Sequence, residues 1–497
     1  MTIVTPDAYV RSAWTPPHID STTAPVLIAS AAPMESFDPA TGELVATIAV
    51  STIADVDRAV DSAHEALRTT SWRNNGALRA RVLNRWAVRL RENIDYFAEL
   101  ITREQGKTVG EARGEILGSI GQVEYNAGLA RALYGRAIAL NEGVHGVVLR
   151  EPVGVVAAIT PWNYPFNLTI RAVAPALAAG NAVVVKPASL TPAIVTKALD
   201  LLHEDPDLPQ GILSVVVGPG GTVGDRLVRS DGIDMIAFTG DSTTGIGVMK
   251  TAADSLKKVS LELGGKSPNI VFADADLDKA LAGTVNAAFT AAGQICTAGS
   301  RLVVERSIHD EFMDRLAAKV RAMRVGEGLD PATEMGPLVS AGQKKTVMDY
   351  IAIGRADGTI VVGGDSLDKA PYTNGHFIAP TIVTDLPDTS RVITEEIFGP
   401  VLAVQTFGDE DEAVAIANGT QFGLACGLWT TNLNRAWRVG RAVESGTIWI
   451  NTYHHFYGEA EVGGFKRSGV GRQQGIEGIL EFTETKHLNF DSNPNLW

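Results

Sequence analysis

Between residues 146 and 240 the chain switches repeatedly between short, wholly apolar runs and stretches with helical periodicity. Gly154-Val155-Val156-Ala157-Ala158-Ile159-Thr160 reads as a strand and about 168–179 as the helix after it. Ala182-Val183-Val184-Val185-Lys186 reads as a second strand, 193–202 as a second helix, 212–217 as a third strand and 235–238 as a fourth. A strand with apolar side chains on both faces must be covered on both faces, and strands separated by helical crossovers pair in parallel. The chain is therefore confined to an α/β fold with a doubly wound parallel sheet. In such sheets ligands gather outside the carboxyl ends of the strands. A second alternating region runs from about 269 to 451.

A chain of 497 residues exceeds one ordinary core, so two or three domains are expected. The first ~35 residues, rich in Pro, Thr and Ala, read as a loose arm. A turn at 37–42, a strand at 44–50 and helices at 53–67 and 77–105 follow, the last with Arg and Glu spread over a solvated face. The net charge of -14 repels phosphate backbones, which excludes nucleic acid as a partner. The N-terminus lacks a basic stretch followed by an apolar one, and no apolar run is long enough for a bilayer. No membrane partner and a cytoplasmic location are expected. With only Cys296 and Cys426, a disulfide framework is excluded. Cys426, in the apolar run 424–429, reads as a small buried side chain on a strand.

Three segments carry candidate chemistry. Cys296 follows Gly293-Gln294-Ile295 and is flanked by small and polar residues, so a ligand can reach it, although taken alone it reads more readily as a buried cysteine. Glu262 precedes Gly264-Gly265, where missing side chains permit close backbone approach, although a strand end has the same look. Thr160-Pro161-Trp162-Asn163-Tyr164-Pro165 is a proline-bracketed turn at the carboxyl end of a buried strand. Its Asn163 amide can donate to a developing oxyanion.

Pro161-Trp162-Asn163-Tyr164-Pro165, Lys186-Pro187, Phe238-Thr239-Gly240, Glu262-Leu263-Gly264-Gly265-Lys266, Gly293-Gln294-Ile295-Cys296 and Glu395-Glu396-Ile397-Phe398-Gly399-Pro400 occur in that order. Together with 463–472 they resemble the aldehyde dehydrogenase superfamily, over about 37–486. The resemblance implies a Rossmann-type cofactor domain (1–131 and 153–262), an α/β catalytic domain (263–477) and a small β oligomerisation arm (132–152 and 478–497). It implies a homodimer or homotetramer, with Glu481-Phe482-Thr483-Glu484-Thr485-Lys486 alternating well enough to add a strand to a neighbour's sheet. It also implies a small-molecule aldehyde substrate. Cys296 attacks the aldehyde as thiolate, Asn163 and the Cys296 N–H hold the oxyanion, and Glu262 activates water against the resulting thioester. No metal is required. A CoA-acylating relative and a non-catalytic binding protein of the same fold are the competing readings. Glu262 argues against the first, and the joint presence of Asn163, Lys186, Glu262, Cys296 and Glu396 argues against the second.

The resemblance places NAD or NADP on Thr160, Trp162, Lys186, Ser189, Gly240, Ser242, Gly245, Glu396 and Phe398. Gly218-Pro219-Gly220-Gly221-Thr222-Val223-Gly224 matches the usual dinucleotide glycine pattern but reads as a decoy on the adenine side. The pyrophosphate is expected at 240–245, where a helix begins. Asp241 there is an acid beside an anion, so it is expected to cap the helix and face away. Phe398 would serve core packing equally well. Ser189 stands where many NAD-preferring relatives carry Glu, so NADP acceptance is expected.

For the substrate, Tyr164, Arg171 and Phe456 are the expected contacts, with Val462 and Asn167 beside them. Arg171 lies where succinic semialdehyde dehydrogenases carry an arginine for the substrate carboxylate, or else forms a structural ion pair across a domain boundary. The second arginine of those enzymes is Thr290 here and their serine is Phe456, so the clamp is half present. Residues 171–177 also resemble benzaldehyde- and vanillin-type enzymes, and Tyr164, Phe456 and Tyr457 suit an aromatic ring. Of His454 and His455, one is expected at the tunnel mouth and the other toward solvent or a subunit contact.

Overall fold

The computed structural model describes residues 18–19 and 33–492, so most of the expected N-terminal arm lies outside the described residues. Two parallel sheets dominate. The first has six strands, in the order Gly469–Val470, Lys258–Glu262, Met235–Thr239, Val155–Ile159, Ala182–Lys186 and Leu213–Val215. Five are parallel, and the Gly469–Val470 strand returns from the far end of the chain to pair antiparallel with Leu261 and Glu262. The chain winds outward from Val155–Ile159 in one direction and later in the other. The topological switch, where a crevice opens, thus falls between the segments that follow Ile159 and Thr239.

The second sheet has seven strands, in the order Thr359–Val362, Thr381–Thr384, Val401–Phe407, Arg301–Glu305, Pro268–Val271, Ala425–Trp429 and Thr447–Ile450. Only the Thr359–Val362 edge runs antiparallel. Cys426 is buried on its strand, as the apolar run implied. A third sheet joins Arg136–Asn141, Val144–Pro152 and Thr483–Asp491, and its outer strands are almost wholly exposed. The last strand adds to this chain's own hairpin, and it starts later than expected. Glu481 closes the Gly475–Glu481 helix and the buried Phe482 caps it, its carbonyl held by the Asn181 amide (3.0 Å).

The expected helix at 77–105 is two helices, Gly76–Glu92 and Ile94–Gln105, broken at Asn93. Its charges are not all solvated. Arg79 is buried and donates to the carbonyls of Trp72, Arg73 and Ala178. Glu104 is buried and accepts the N–H groups of Ala193 and Ile194 at 2.8 and 2.9 Å. The helix expected from 168 starts at Pro165, since proline needs no N–H partner in a first turn. Among the described residues, no helix is long and apolar enough to cross a membrane.

Candidate active site

The turn after the Val155–Ile159 strand is tied down by several hydrogen bonds. Thr160 is buried and its hydroxyl accepts from Thr169 (3.0 Å). The Asn163 side-chain amide donates to the Gln294 carbonyl (3.0 Å), while the Asn163 carbonyl accepts from Lys107 Nζ (2.8 Å). Gln294 in turn donates to the Ala291 carbonyl and accepts from the Val339 N–H, both at 3.0 Å. The loop before Cys296 turns through left-handed Ala291, Ala292 and Gly293. At Gly293, with φ +70°, a Cβ would lie 2.3 Å from the Gly399 carbonyl oxygen, so only glycine fits. These contacts carry the half-buried Cys296 thiol to a cavity of about 450 Å³.

That cavity brings together Asn163, Glu262 and Cys296 with Tyr164, Arg171 and Phe456, six residues singled out from the sequence. Asn167, Thr290, Val462, His454 and His455 also line it. Tyr457 does not: it is 61% exposed and directed to solvent, which corrects its assignment to an aromatic-ring contact. Both histidines face the cavity. His454 is packed among Trp449, Tyr453 and Phe456, and burial pulls it down to about 4 against the opposing Thr297 backbone, so it is neutral. His455 is exposed at the mouth.

Glu262 ends its strand, in register with Thr239. Burial pushes its carboxyl up to about 7, against the opposing pull of Arg171 and Arg472, and its Oε1 has no hydrogen-bond partner. A carboxylate with this poise titrates near neutrality, as a general base should. Burial also pushes the Cys296 thiol up to about 12, a rise that Arg171 opposes and Glu396 and Glu262 reinforce. The resting thiol is therefore protonated, and attack requires a base to take its proton. Arg171 is 8% exposed, and among the described residues it forms no ion pair and its Nε has no partner. The structural ion-pair reading of Arg171 is thereby removed; its charge faces Glu262 and Cys296.

Across the topological switch, the Ser242–Ala253 helix begins with Asp241 as its cap. Asp241 turns back on its own helix, accepting from Thr244 N (2.9 Å) and Thr244 Oγ1 (2.5 Å). Ser242 donates to the Arg467 carbonyl (3.4 Å). A Cβ at Gly245 would lie 2.3 Å from Leu263 Cδ2, and one at Gly240 2.5 Å from the Phe238 ring, so both glycines serve close packing. Lys186 is buried, spends one donor on the Pro187 carbonyl (2.8 Å), and is drawn down to about 8 by burial. Ser189 donates to the Gly218 carbonyl (3.2 Å). The apparent fingerprint 218–224 lies beside Lys186 and Ser189, its Gly220–Gly224 part forming a helical turn that runs into the Asp225–Arg229 helix. On the side nearer the thiol, Glu396 accepts from Gly265 N (3.1 Å), and a Cβ at Gly264 would strike its Oε2 at 2.0 Å. A Cβ at Gly265 would lie 2.4 Å from the Cys296 carbonyl oxygen, so the paired glycines do admit close approach. Phe398, at φ +59°, meets Trp162 edge to face at 5.2 Å.

Sequence reasoning missed Lys107, Glu111 and Glu115. Lys107 and Glu115 form a wholly buried ion pair (2.5 Å) beneath the Asn163 turn, with Lys107 Nζ 3.4 Å from the centre of the Tyr164 ring. The available signal was Glu111 and Glu115 four residues apart on one helix, which places both carboxylates on one face.

A family model for the aldehyde dehydrogenase family matches residues 28–488. The betaine aldehyde dehydrogenase of Bacillus subtilis (strain 168) is 39% identical over 461 residues, 92% of this chain and 94% of that one. Among solved structures, betaine aldehyde dehydrogenase from Staphylococcus aureus in complex with NAD+ superposes with TM-score 0.92 at 35% identity, over 94% of this chain and 93% of that one. A putative aldehyde dehydrogenase from Burkholderia cenocepacia superposes with TM-score 0.91 at 39% identity, over 93% and 95%.

Proposed function

The chain belongs to the aldehyde dehydrogenase family, and from that premise we propose that it oxidises an aromatic or carboxylate-bearing aldehyde to the acid with NAD, accepting NADP as well. The observation that carries the chemistry is one cavity holding Cys296, the Asn163 amide and a buried Glu262 with an unpartnered oxygen and a carboxyl near 7. Glu262 takes the thiol proton and the Cys296 sulfur bonds to the aldehyde carbon. The Asn163 amide and the Cys296 N–H hold the oxyanion. Bound dinucleotide supplies a hydride acceptor. The donors present suit such a group: Lys186 keeps two N–H bonds free beyond Pro187, a helix N-terminus opens at Ser242, and Glu396 offers acceptor oxygens beside Phe398. Thr160 and Trp162 are assigned to the same crevice, on the turn after Ile159, with Gly240 and Gly245 at the helix start across it. Glu262 passes the thiol proton on to solvent and, as carboxylate again, takes a proton from the water that hydrolyses the Cys296 thioester. That use of the thioester disfavours transfer to CoA.

Arg171 supports the substrate class, because an unpaired guanidinium beside the thiol attracts a carboxylate and Phe456 and Tyr164 flank a ring. Betaine aldehyde, named for the relatives, carries a fixed positive charge that Arg171 repels. A panel of benzaldehyde, succinic semialdehyde and betaine aldehyde tests this with both cofactors. The first two are expected to exceed betaine aldehyde at least tenfold in kcat/KM; the reverse order sinks the reading. NADP acceptance rests on Ser189, and a preference for NAD of about a hundredfold or more ends it.

The reading extends to domains and assembly. The first sheet with its N-terminal helices is the cofactor domain, the second the catalytic domain. The exposed third sheet is the oligomerisation arm of a dimer or tetramer, supported by Leu140, Leu488 and Phe490 uncovered on it. A cytoplasmic location suits the free thiol the chemistry needs.

A further inference from the structure

We propose that Lys107 is a positioning residue: with Glu115 it brackets the Asn163 turn and sets the direction in which the Asn163 amide faces Cys296. The proposal rests on the reading of Asn163 as oxyanion donor.

Lys107 lies between two helices, Ile94–Gln105 and Val109–Leu129, and is 1% exposed. An ammonium has three donors. Here they meet Glu115 Oε2 (2.5 Å), the Asn163 carbonyl (2.8 Å) and the face of Tyr164 (3.4 Å). Glu115 uses its other oxygen on the N–H groups of Phe166 and Asn167, both at 3.0 Å. One ion pair therefore holds the turn at Asn163 and at the helix start beyond it. Charge-assisted bonds are about twice as strong as neutral ones, and a fully satisfied buried network has one low-energy arrangement. One turn earlier on the same helix, Glu111 accepts from the Ala291 N–H (2.7 Å), in the loop that delivers the thiol. The amide donor and the nucleophile are far apart in sequence, yet both are fastened to one face of the Val109–Leu129 helix. Catalytic geometry is unforgiving: a shift of about 1 Å can cost about a hundredfold.

The test separates attack that builds an oxyanion from attack that does not. With p-nitrophenyl acetate, the Cys296 sulfur bonds to the acetyl carbon, the thiol proton passes to Glu262, and p-nitrophenolate leaves with its electron pair. Iodoacetamide alkylates the same sulfur with loss of iodide and no oxyanion. In the full-length Lys107→Met enzyme, acylation is expected to fall at least tenfold while alkylation stays within about twofold. Adding Asn163→Ala is expected to cost no more than a further twofold or so, because the amide is already misdirected. If Lys107→Met does not fold, Lys107→Met/Glu115→Gln removes both buried charges and carries the same comparison. Acylation and alkylation falling together, acylation unchanged, or costs of Lys107→Met and Asn163→Ala that multiply in full would each overturn the proposal. Wild type that is acylated by the ester yet oxidises no aldehyde refutes the proposed function and leaves the role of Lys107 standing.

Discussion

Two walls of one cavity treat buried charge in opposite ways. On the wall formed by the Val109–Leu129 helix, every carboxylate is answered: Glu111 by Thr108 and Ala291, Glu115 by Lys107, Phe166 and Asn167. On the facing wall, Glu262 Oε1 and Arg171 Nε have no partner, and Glu262 and Cys296 are both pushed upward by burial. Satisfied buried groups hold a structure in one arrangement, while unsatisfied ones carry a cost that a substrate or a proton can relieve. The first wall is built as scaffold, and the second leaves groups free to meet a ligand.

The contrast breaks most sharply at Glu262. Glu262→Gln is expected to lower steady-state turnover by about 10²–10⁴ and to slow the burst of NADH with it, because Cys296 loses its base, at an unchanged urea midpoint. Undiminished turnover would abolish the distinction. Glu115→Ala should behave in the opposite sense, losing about 3–5 kcal/mol in urea unfolding because Lys107 is left buried and unpaired. A loss below about 1 kcal/mol would show that this wall is not held by its ion pair.

Arg171→Met sharpens the comparison. It removes an unpartnered buried cation, so stability should hold or rise, while kcat/KM for succinic semialdehyde falls roughly 10- to 100-fold and that for benzaldehyde changes little. The smallest effect concerns pH. Because the Glu262 carboxyl is raised in the fold to about 7, its base form appears only above that pH, so turnover should climb as pH rises through about 7. The same raised value means that its contribution to stability is full below the unfolded carboxyl range and lost as pH rises through about 7. Removing Arg171, which opposes the rise, should move the activity limb to higher pH. A limb that stays in place shows that the guanidinium does not act on Glu262.

The same division of labour appears at helix starts. The Pro165–Ala179 and Pro192–His203 helices have their first N–H groups taken by Glu115 and Glu104, carboxylates from distant helices. The Ser242–Ala253 helix is capped locally by Asp241 and remains open at the switch point. The start of the Ser242–Ala253 helix is thus open, whereas the other two are blocked by remote carboxylates. A pattern of small residues is legible in sequence, whereas occupation of helix ends by remote carboxylates is not.

Contiguous sequence by itself determined the apolar strand runs, the alternation that makes both sheets parallel, and the side chains able to act as nucleophile, base and oxyanion donor. These follow from local periodicity and side-chain chemistry, which neighbouring residues carry among themselves. Only the tertiary structure decided that the 77–105 helix breaks at Asn93, that Tyr457 leaves the cavity, that Arg171 lacks a partner and that Lys107 has three. Each of those depends on which distant groups arrive within hydrogen-bond reach once water is excluded. Burial then turns an ordinary lysine or glutamate into a strut or a base according to what it meets.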